Sequence, residues 1–586
     1  MTKYKAAKTG EVFDCNQSNF KAQGGEGSIY FVNNSKKQKV VCKICNTDKM
    51  IPDAKFRELS TLVHPKIIVP DDILLDNKNR HVGYTMKMVP NNPMPLARIL
   101  TKTYREREGI TPQIMADLVS QIRDTIYFIH KHDGYLQVDG NELNYMITDD
   151  YRDAYFIDVN SFQTPSFPAD AIMPSIRDWH CPKDSNGWYK WSKETDWYSF
   201  SIISFFMFTG IHPFMGFNPK FTNAKTALKD QMLACVSVFD PETRFPKAAV
   251  YFPFDSVIPG GMDGAYMRWY KAIFVDNKRL PAPKDFQATI KFIAAKIEEI
   301  SGSNNFKIEL VKEYIGKLIG YYTNNGKDVV LTTDHLYVNN QPYQKNDSRF
   351  RICFTKNGTP VKASVENKFL KLENLDSKTE ISCQPIHTED IMSYNGRLYV
   401  LSSDDVFEVL FVDGKNIMAL PRSIAKIMPH ATEMWQGVVF QDMLGKKMAS
   451  FFPQEQHHRM LLLEELSKIK ITDAKFENNV LMVIGLEKES GRYDRYIFRF
   501  SNHWDSYDLR IIENITPSGL NFTVNEKGIC VSITENEKVE IFSNQKDSSS
   551  LKSIDDPAIN SNMKLCHIGN QIRIANGNKL YNISTN

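Results

Sequence analysis

Two aspartates and an asparagine define the chemistry this sequence could carry. The stretch Gln137 to Gln163 reads QVDGNELNYMITDDYRDAYFIDVNSFQ, with Asp139 and Asp158 each at the end of a short apolar run and Asn144 between them. A carboxylate such as Asp139 can accept or orient the proton of an incoming hydroxyl. An amide oxygen (Asn144) and a second carboxylate (Asp158) are hard ligands suited to Mg²⁺ on phosphate groups. Together they could perform phosphoryl transfer. Asp-x-x-x-x-Asn alone arises often by chance, so the flanking elements carry the decision.

Upstream, Ala22 to Val32 (AQGGEGSIYFV) reads as a glycine turn feeding a β-branched and aromatic strand. Gly24, Gly25 and Gly27 would let backbone N–H groups approach phosphate oxygens without Cβ obstruction, and Ile29 begins the strand. A plain hairpin turn is the alternative. A second strand, Gln38 to Ile44, carries Lys43 among apolar residues, and a lysine there must face a cleft or find an anion. Ile51 to Val63 has helical spacing with Glu58 inside it, and His64-Pro65 breaks it. Strands are expected at Ile67–Val69 and Arg80–Met88. Downstream, Thr111 to His132 places Met115, Leu118, Val119, Ile122, Ile126 and Ile129 on one helical face, ended by Asp133-Gly134. Asp149, Asp150 and Asp153 mark a hairpin turn. Asp196 to Phe214 is apolar on nearly every face, which predicts a central buried helix. Further helices are expected at Ala224–Val236, Met262–Phe274 and Asp285–Ile300.

Taken in order, these motifs resemble the eukaryotic-type protein kinase fold, a bilobal α+β architecture. VVCK is similar to that family's V-A-I-K strand, and the resemblance implies an ion pair between Lys43 and Glu58 in an active conformer, with the helix swung out as the alternative when no nucleotide is bound. It implies ATP and Mg²⁺ as cofactors, with Gly24, Gly25, Gly27, Ile29, Lys43 and a hinge at Met88 around the nucleotide. Asp139 would then be catalytic, and Asn144 and Asp158 metal-binding. Asp196 would tie down the catalytic loop, and Arg279 would pair with an acid closing the activation segment, Asp184 being the best match. GGEGSIY, IDVNSFQ and GIHPF lie nearest bacterial kinase-like proteins with D-x-D-S-F-Q in place of D-F-G. That resemblance implies a serine/threonine protein substrate. It also implies, as possible partners, a von Willebrand A-type protein and a metal-dependent protein phosphatase. The sequence departs from the family at Gln137-Val138, where His-Arg is usual, which argues against switching by segment phosphorylation. It departs again at Asn141, where a phosphate-contacting lysine is usual, and at Asn160, which replaces a glycine. A nucleotide-binding pseudokinase scaffold is the competing reading.

The chain has 586 residues, too many for one core, and is expected to divide as 1–105, 106–300, a linker at 301–320, and 321–586. Its net charge of +3 points to neither nucleic acid nor membrane. The first residues lack the apolar core of a signal peptide, and nine scattered cysteines suit a reducing compartment, so a cytoplasmic protein is expected. Cys42 and Cys45 read as buried strand thiols rather than a zinc pair. After a short helical patch (Phe306 to Leu318), hairpins recur about every 40 residues, from 397–411 to 571–583. That repeat predicts an all-β, propeller-like domain of five to seven blades, with paired β-sandwiches as the alternative. Each half is expected to fold on its own core, with the propeller recruiting a substrate or regulator.

Overall fold

The computed structural model describes residues 3–223, 225–247, 250–251, 253–284, 302–343, 349–452 and 458–586. The expected helix Asp285–Ile300 lies outside the described residues. Among these residues all six α-helices fall between Asp53 and Phe274, and the C-terminal half is built from β-sheets.

The first seven strands form one antiparallel sheet. They are β1 (Lys3–Ala6), β2 (Val12–Asp14), β3 (Phe20–Gly24), β4 (Gly27–Asn33), β5 (Lys39–Cys45), β6 (Pro70–Leu75) and β7 (His81–Lys87), in the spatial order β2-β1-β6-β7-β5-β4-β3. The strand expected at Ile67–Val69 begins instead at Pro70, and Ile67 makes a lone parallel bridge to Phe156. Strand alternation sends Cys42 into a small core with Cys15, Val32 and Leu74, and turns Lys43 to the opposite face. Helix α1 is short, Asp53–Leu59, starting after Pro52.

The next layer is helical. Helix α2 (Lys102–Glu108) ends at Gly109, whose φ of 69° suits a residue without Cβ. Helix α3 (Pro112–His130) starts with Pro112 in its first turn and the Thr111 hydroxyl accepting from the Ile114 N–H at 3.3 Å. Helix α4 (Lys193–Thr209) opens with a Ser192–Thr195 capping box and is buried at every position from Thr195 onward. Its burial on all faces explains the missing amphipathic period. Helices α5 (Ala227–Ala234) and α6 (Ala265–Phe274) pack beyond it. Three short strands, β8 (Met94–Pro95), β9 (Tyr145–Ile147) and β10 (Ala154–Phe156), form a small sheet at the foot of the first. Strands β9 and β10 are the expected hairpin, pairing Ile147 with Ala154.

The C-terminal half consists of seven consecutive sheets. Six are local, formed by strands within 318–343, 350–380, 382–426, 432–462, 469–512 and 522–555. The seventh joins Met563–Ile568, Gln571–Asn576 and Lys579–Thr585 to strand β11 (Phe306–Glu313), so the first strand of this half closes against its last. Such closure, which ties the first strand of this half to its last, is compatible with a β-propeller. The expected helical patch at Phe306–Leu318 and the linker drawn at 301–320 are therefore corrected. Ile308 pairs with Ile583 and Phe306 with Thr585 across strands distant in sequence, a partnership no local pattern reveals.

Each half has apolar clusters of its own, but the largest is shared between them. Ile484, Leu486, Tyr493 and Ile515 from the fifth sheet and its exit belong to the same hydrophobic cluster as α3, α4 and α6. Helix α2 also faces the ring with its charges. Glu106 sits 2.8 Å from Lys317 and 2.8 Å from Lys564, and Glu108 lies 3.3 Å from Arg351. The Thr103 hydroxyl donates to Asp473 at 3.1 Å. Those partners come from beside or within the first, second, fifth and seventh sheets, so one short helix spans the middle of the ring.

Candidate active site

Lys43 is the hub of the cleft between the first sheet and the helical layer. It is buried, and its Nζ lies 2.6 Å from Glu26 Oε2, 2.5 Å from Asp158 Oδ1 and 3.1 Å from Asn160 Oδ1. Burial alone would push the ammonium down, but Tyr84, Asp158 and Glu26 together hold it well above its usual value. Asn160 ties the group together. Its Oδ1 also accepts from the Tyr84 hydroxyl at 3.1 Å, and its Nδ2 donates to Glu26 at 2.8 Å. Burial opposes the ionisation of Glu26, yet Lys43 and these hydrogen bonds hold its carboxyl below the usual range.

The implied ion pair between Lys43 and Glu58 is absent, and Glu26 takes that place. Glu58 accepts from the Ser166 backbone N–H at 3.3 Å, and hydrogen bonds from Ser166 and Thr164 hold its carboxyl below the usual range. Helix α1 is tied on this side by the Tyr135 hydroxyl, which donates to the Glu58 carbonyl at 2.9 Å. Among the glycines of this turn, only Gly27 is sterically required. Its φ is 154°, and a Cβ there would sit 2.1 Å from the Ile44 carbonyl oxygen, whereas Gly24 and Gly25 have open space. Ile29 stands opposite Lys43 in the β4–β5 register. Met88, just past β7, lines a cavity of about 1810 Å³ between the two halves.

The loop carrying Asp139 is fixed from below by α4. Asp196 accepts from the backbone N–H of Gln137 and of Val138, each at 2.8 Å, and lies 2.9 Å from His130 Nε2. Val138 has φ of 58°, a strained conformation for a β-branched residue, held where the loop turns toward Asp139. Asp139 Oδ1 accepts from the Met173 N–H at 2.9 Å, and Asn144 Nδ2 donates to the Asp139 carbonyl at 2.8 Å. Burial raises the Asp139 carboxyl above its ordinary value, against those hydrogen bonds. Asn144 receives the Ile157 N–H on its own carbonyl at 3.0 Å, which brings it beside Asp158. Asp158 adopts φ of 57°. Thus Lys43, Asp139, Asn144 and Asp158 meet, and Glu58 does not join them. Among the described residues, no three His, Cys, Asp or Glu side chains are grouped to hold a metal by themselves. Asp158 with the amide oxygen of Asn144 still suits Mg²⁺, which takes few protein ligands and completes its shell with phosphate and water.

Other residues became apparent only in three dimensions. Arg279 pairs with Asp178 (Nε to Oδ2, 2.6 Å), while Asp184 caps its own turn by accepting from the Trp188 N–H at 2.9 Å. Asp184 is thereby corrected to Asp178. Asn160 lies in a short 3-10 turn, so its side chain rather than its backbone tolerance matters. Glu142, three residues after Asp139, accepts from the Tyr493 hydroxyl at 2.9 Å. Glu26 stands in the glycine turn itself, but Asp158 and Glu58 also lie near glycine turns or helices, so nothing local singles it out. For Asp178 and Tyr493 the sequence offers no signal. No protein-family model matches this chain, and no curated protein sequence matches it significantly. No helix of the described residues is long and apolar enough to cross a membrane.

Proposed function

We propose that the chain is an ATP- and Mg²⁺-dependent protein kinase of the bilobal α+β type, acting on a serine or threonine hydroxyl, with its ring of sheets forming a seven-bladed β-propeller. The observation that carries this reading is the meeting of Lys43, Asp139, Asn144 and Asp158 in one cleft from separate stretches of chain. Lys43, charged at any working pH, would hold nucleotide phosphates. Asp158 and Asn144 would hold Mg²⁺, which supplies charge neutralisation on the phosphates. Asp139, its basicity raised by burial, is suited to take the proton of an acceptor hydroxyl. Asp196 keeps the Asp139 loop in place and needs no part in the chemistry. The ring surface away from α2 is the part free to recruit a substrate or regulator.

A specific observation favours the second reading, a nucleotide-binding scaffold: Glu26 and Asn160 already satisfy Lys43. Full-length protein with Mg²⁺, labelled ATP and generic acceptors separates the two. The kinase reading expects incorporation that Asp139→Ala abolishes and Mg²⁺-dependent nucleotide binding that Asp158→Ala abolishes. No incorporation with any acceptor, together with nucleotide binding indifferent to Mg²⁺, supports the scaffold.

A further inference from the structure

The cavity between the halves has a wall whose charges do not balance. Lys21 on β3 and Lys39 on β5 face it from the first sheet, Arg98 from the turn before α2, and Lys470 from the fifth ring sheet. The carboxylate in contact with them is Glu433, shared by Lys470 at 2.7 Å and Arg98 at 3.0 Å, and Asp390 lines the cavity on the side of Arg98. Lys447 is also near, but Asp442 neutralises it at 3.0 Å. His430 stacks on Phe31 with ring centres 5.3 Å apart, and burial together with Lys39 and Lys21 pushes it down to about 4, so it adds no charge at neutral pH. Four cations therefore stand against two carboxylates, Glu433 and Asp390.

Hydrogen-bonding capacity is equally one-sided. Trp435 is only 5% exposed, and among the described residues its Nε1 has no partner. The Arg98 guanidinium lies over the Trp435 ring at 4.5 Å and leaves its own buried Nε without a partner. Lys21 has no carboxylate within ion-pair distance among the described residues, and burial pushes it down to about 8. Tryptophan, arginine and lysine are donors only. The buried donors of Trp435 and Arg98 are costly without acceptors, Lys21 is half-buried beside them, and an acceptor-rich anion serves all three.

We propose that this wall is a binding site for a small phosphorylated compound carrying two or more negative charges, seated between β3, the Arg98 turn and the Glu433–Trp435 strand. A phosphoryl group is acceptor-only, and a guanidinium fork and indole N–H suit its oxygens. The half-buried setting of Lys21, Arg98 and Glu433 on one wall fits a small, compact anion better than an extended phosphopeptide or nucleic acid. The site is separate from Lys43, and the proposal does not depend on the kinase reading.

Inorganic pyrophosphate, titrated calorimetrically into the full chain, is the probe. Lys43→Met removes any contribution from the cleft, and binding is expected to survive it. Lys21→Gln should weaken binding by about tenfold or more, and Trp435→Phe, which keeps the ring and removes the N–H, by about threefold to tenfold. Lys21→Arg, conserving charge, should retain affinity and guards against a folding defect. Binding lost in Lys43→Met but unchanged in Lys21→Gln overturns the proposal, as does absence of binding at millimolar pyrophosphate.

Discussion

Replacing Tyr493 by Phe removes one oxygen atom from the place where the ring touches the Asp139 loop. The Tyr493 hydroxyl donates to Glu142 Oε1 at 2.9 Å, with the two residues 2% and 3% exposed. The ring of Tyr493 meets Phe206 of α4 edge-on at 6.1 Å, and phenylalanine keeps that contact. The substitution therefore leaves no sizeable cavity and isolates the hydrogen bond. A buried acceptor stripped of its donor costs about 1–3 kcal/mol, and that is the expected loss of stability. Urea denaturation of the full chain should move the midpoint down with little change in slope. A double-mutant cycle with Glu142→Gln should give a coupling of about 0.5–3 kcal/mol. The pH dependence has a definite sign. Burial raises the folded Glu142 carboxyl above its unfolded value. Its favourable share is therefore full in acid, below the ordinary carboxylate value, and is lost as pH rises through the raised one. The Tyr493 bond favours the ionised form, so Tyr493→Phe should cost least in acid and more as pH climbs through that window. A destabilisation below about 0.3 kcal/mol at all pH values, or strict additivity in the cycle, refutes the coupling argument.

Three other outcomes rest on the same kind of contact. Glu26→Ala removes one of the two acids on Lys43; because Glu26 is partly exposed, the relief is modest, and Mg²⁺–ADP affinity measured calorimetrically should rise about threefold to tenfold. Unchanged or weaker binding would show that Glu26 does not compete with phosphate. Glu106→Gln leaves Lys317 and Lys564 facing each other without their shared carboxylate and should cost about 1–3 kcal/mol by denaturant titration. Those cations hold the Glu106 carboxyl below its usual value, so its contribution is present above the ordinary carboxylate range and lost as pH falls through the depressed one. Finally, residues 1–302 expressed alone expose the surface that Ile484, Leu486, Tyr493 and Ile515 cover; the fragment should aggregate or melt lower than the full chain. A fragment as stable as the whole would restore the picture of self-sufficient halves.

The coupling has a functional side. Through Glu142 the ring reaches the loop of Asp139, and through Glu106 and Glu108 it grips α2, which follows β8 in the chain. If the ring binds a partner, contacts are in place through which that event could bear on the cleft. Charges with partners on several sheets resist the sliding that a purely apolar contact would allow.

The sequence by itself determined the elements whose periods are local. The run Asp196 to Phe214 announced a buried helix because its apolar residues occupy every face, and α3 because they occupy one. Alternating residues between turn signals located most hairpins of the C-terminal half, since strand pairing through a tight turn is written in neighbouring residues. Lys43 was legible as an ion-pairing lysine because an ammonium in an apolar strand must be satisfied somewhere. Which acid satisfies it was not legible. Glu26, Asp158 and Glu58 are all carboxylates near glycine turns or helices, and only the packing of the sheet on the helical layer brings two of them within 2.6 Å. The same holds for Asp178 over Asp184, and for the closure of the ring by β11, whose partner lies over 260 residues away. Helix α2 went unread because seven residues mixing lysine, arginine and glutamate look like a solvated face. Its charges make sense only when Lys317, Arg351, Asp473 and Lys564 arrive around it from four sheets. Long-range charge pairing carries no period, so tertiary structure alone could decide it.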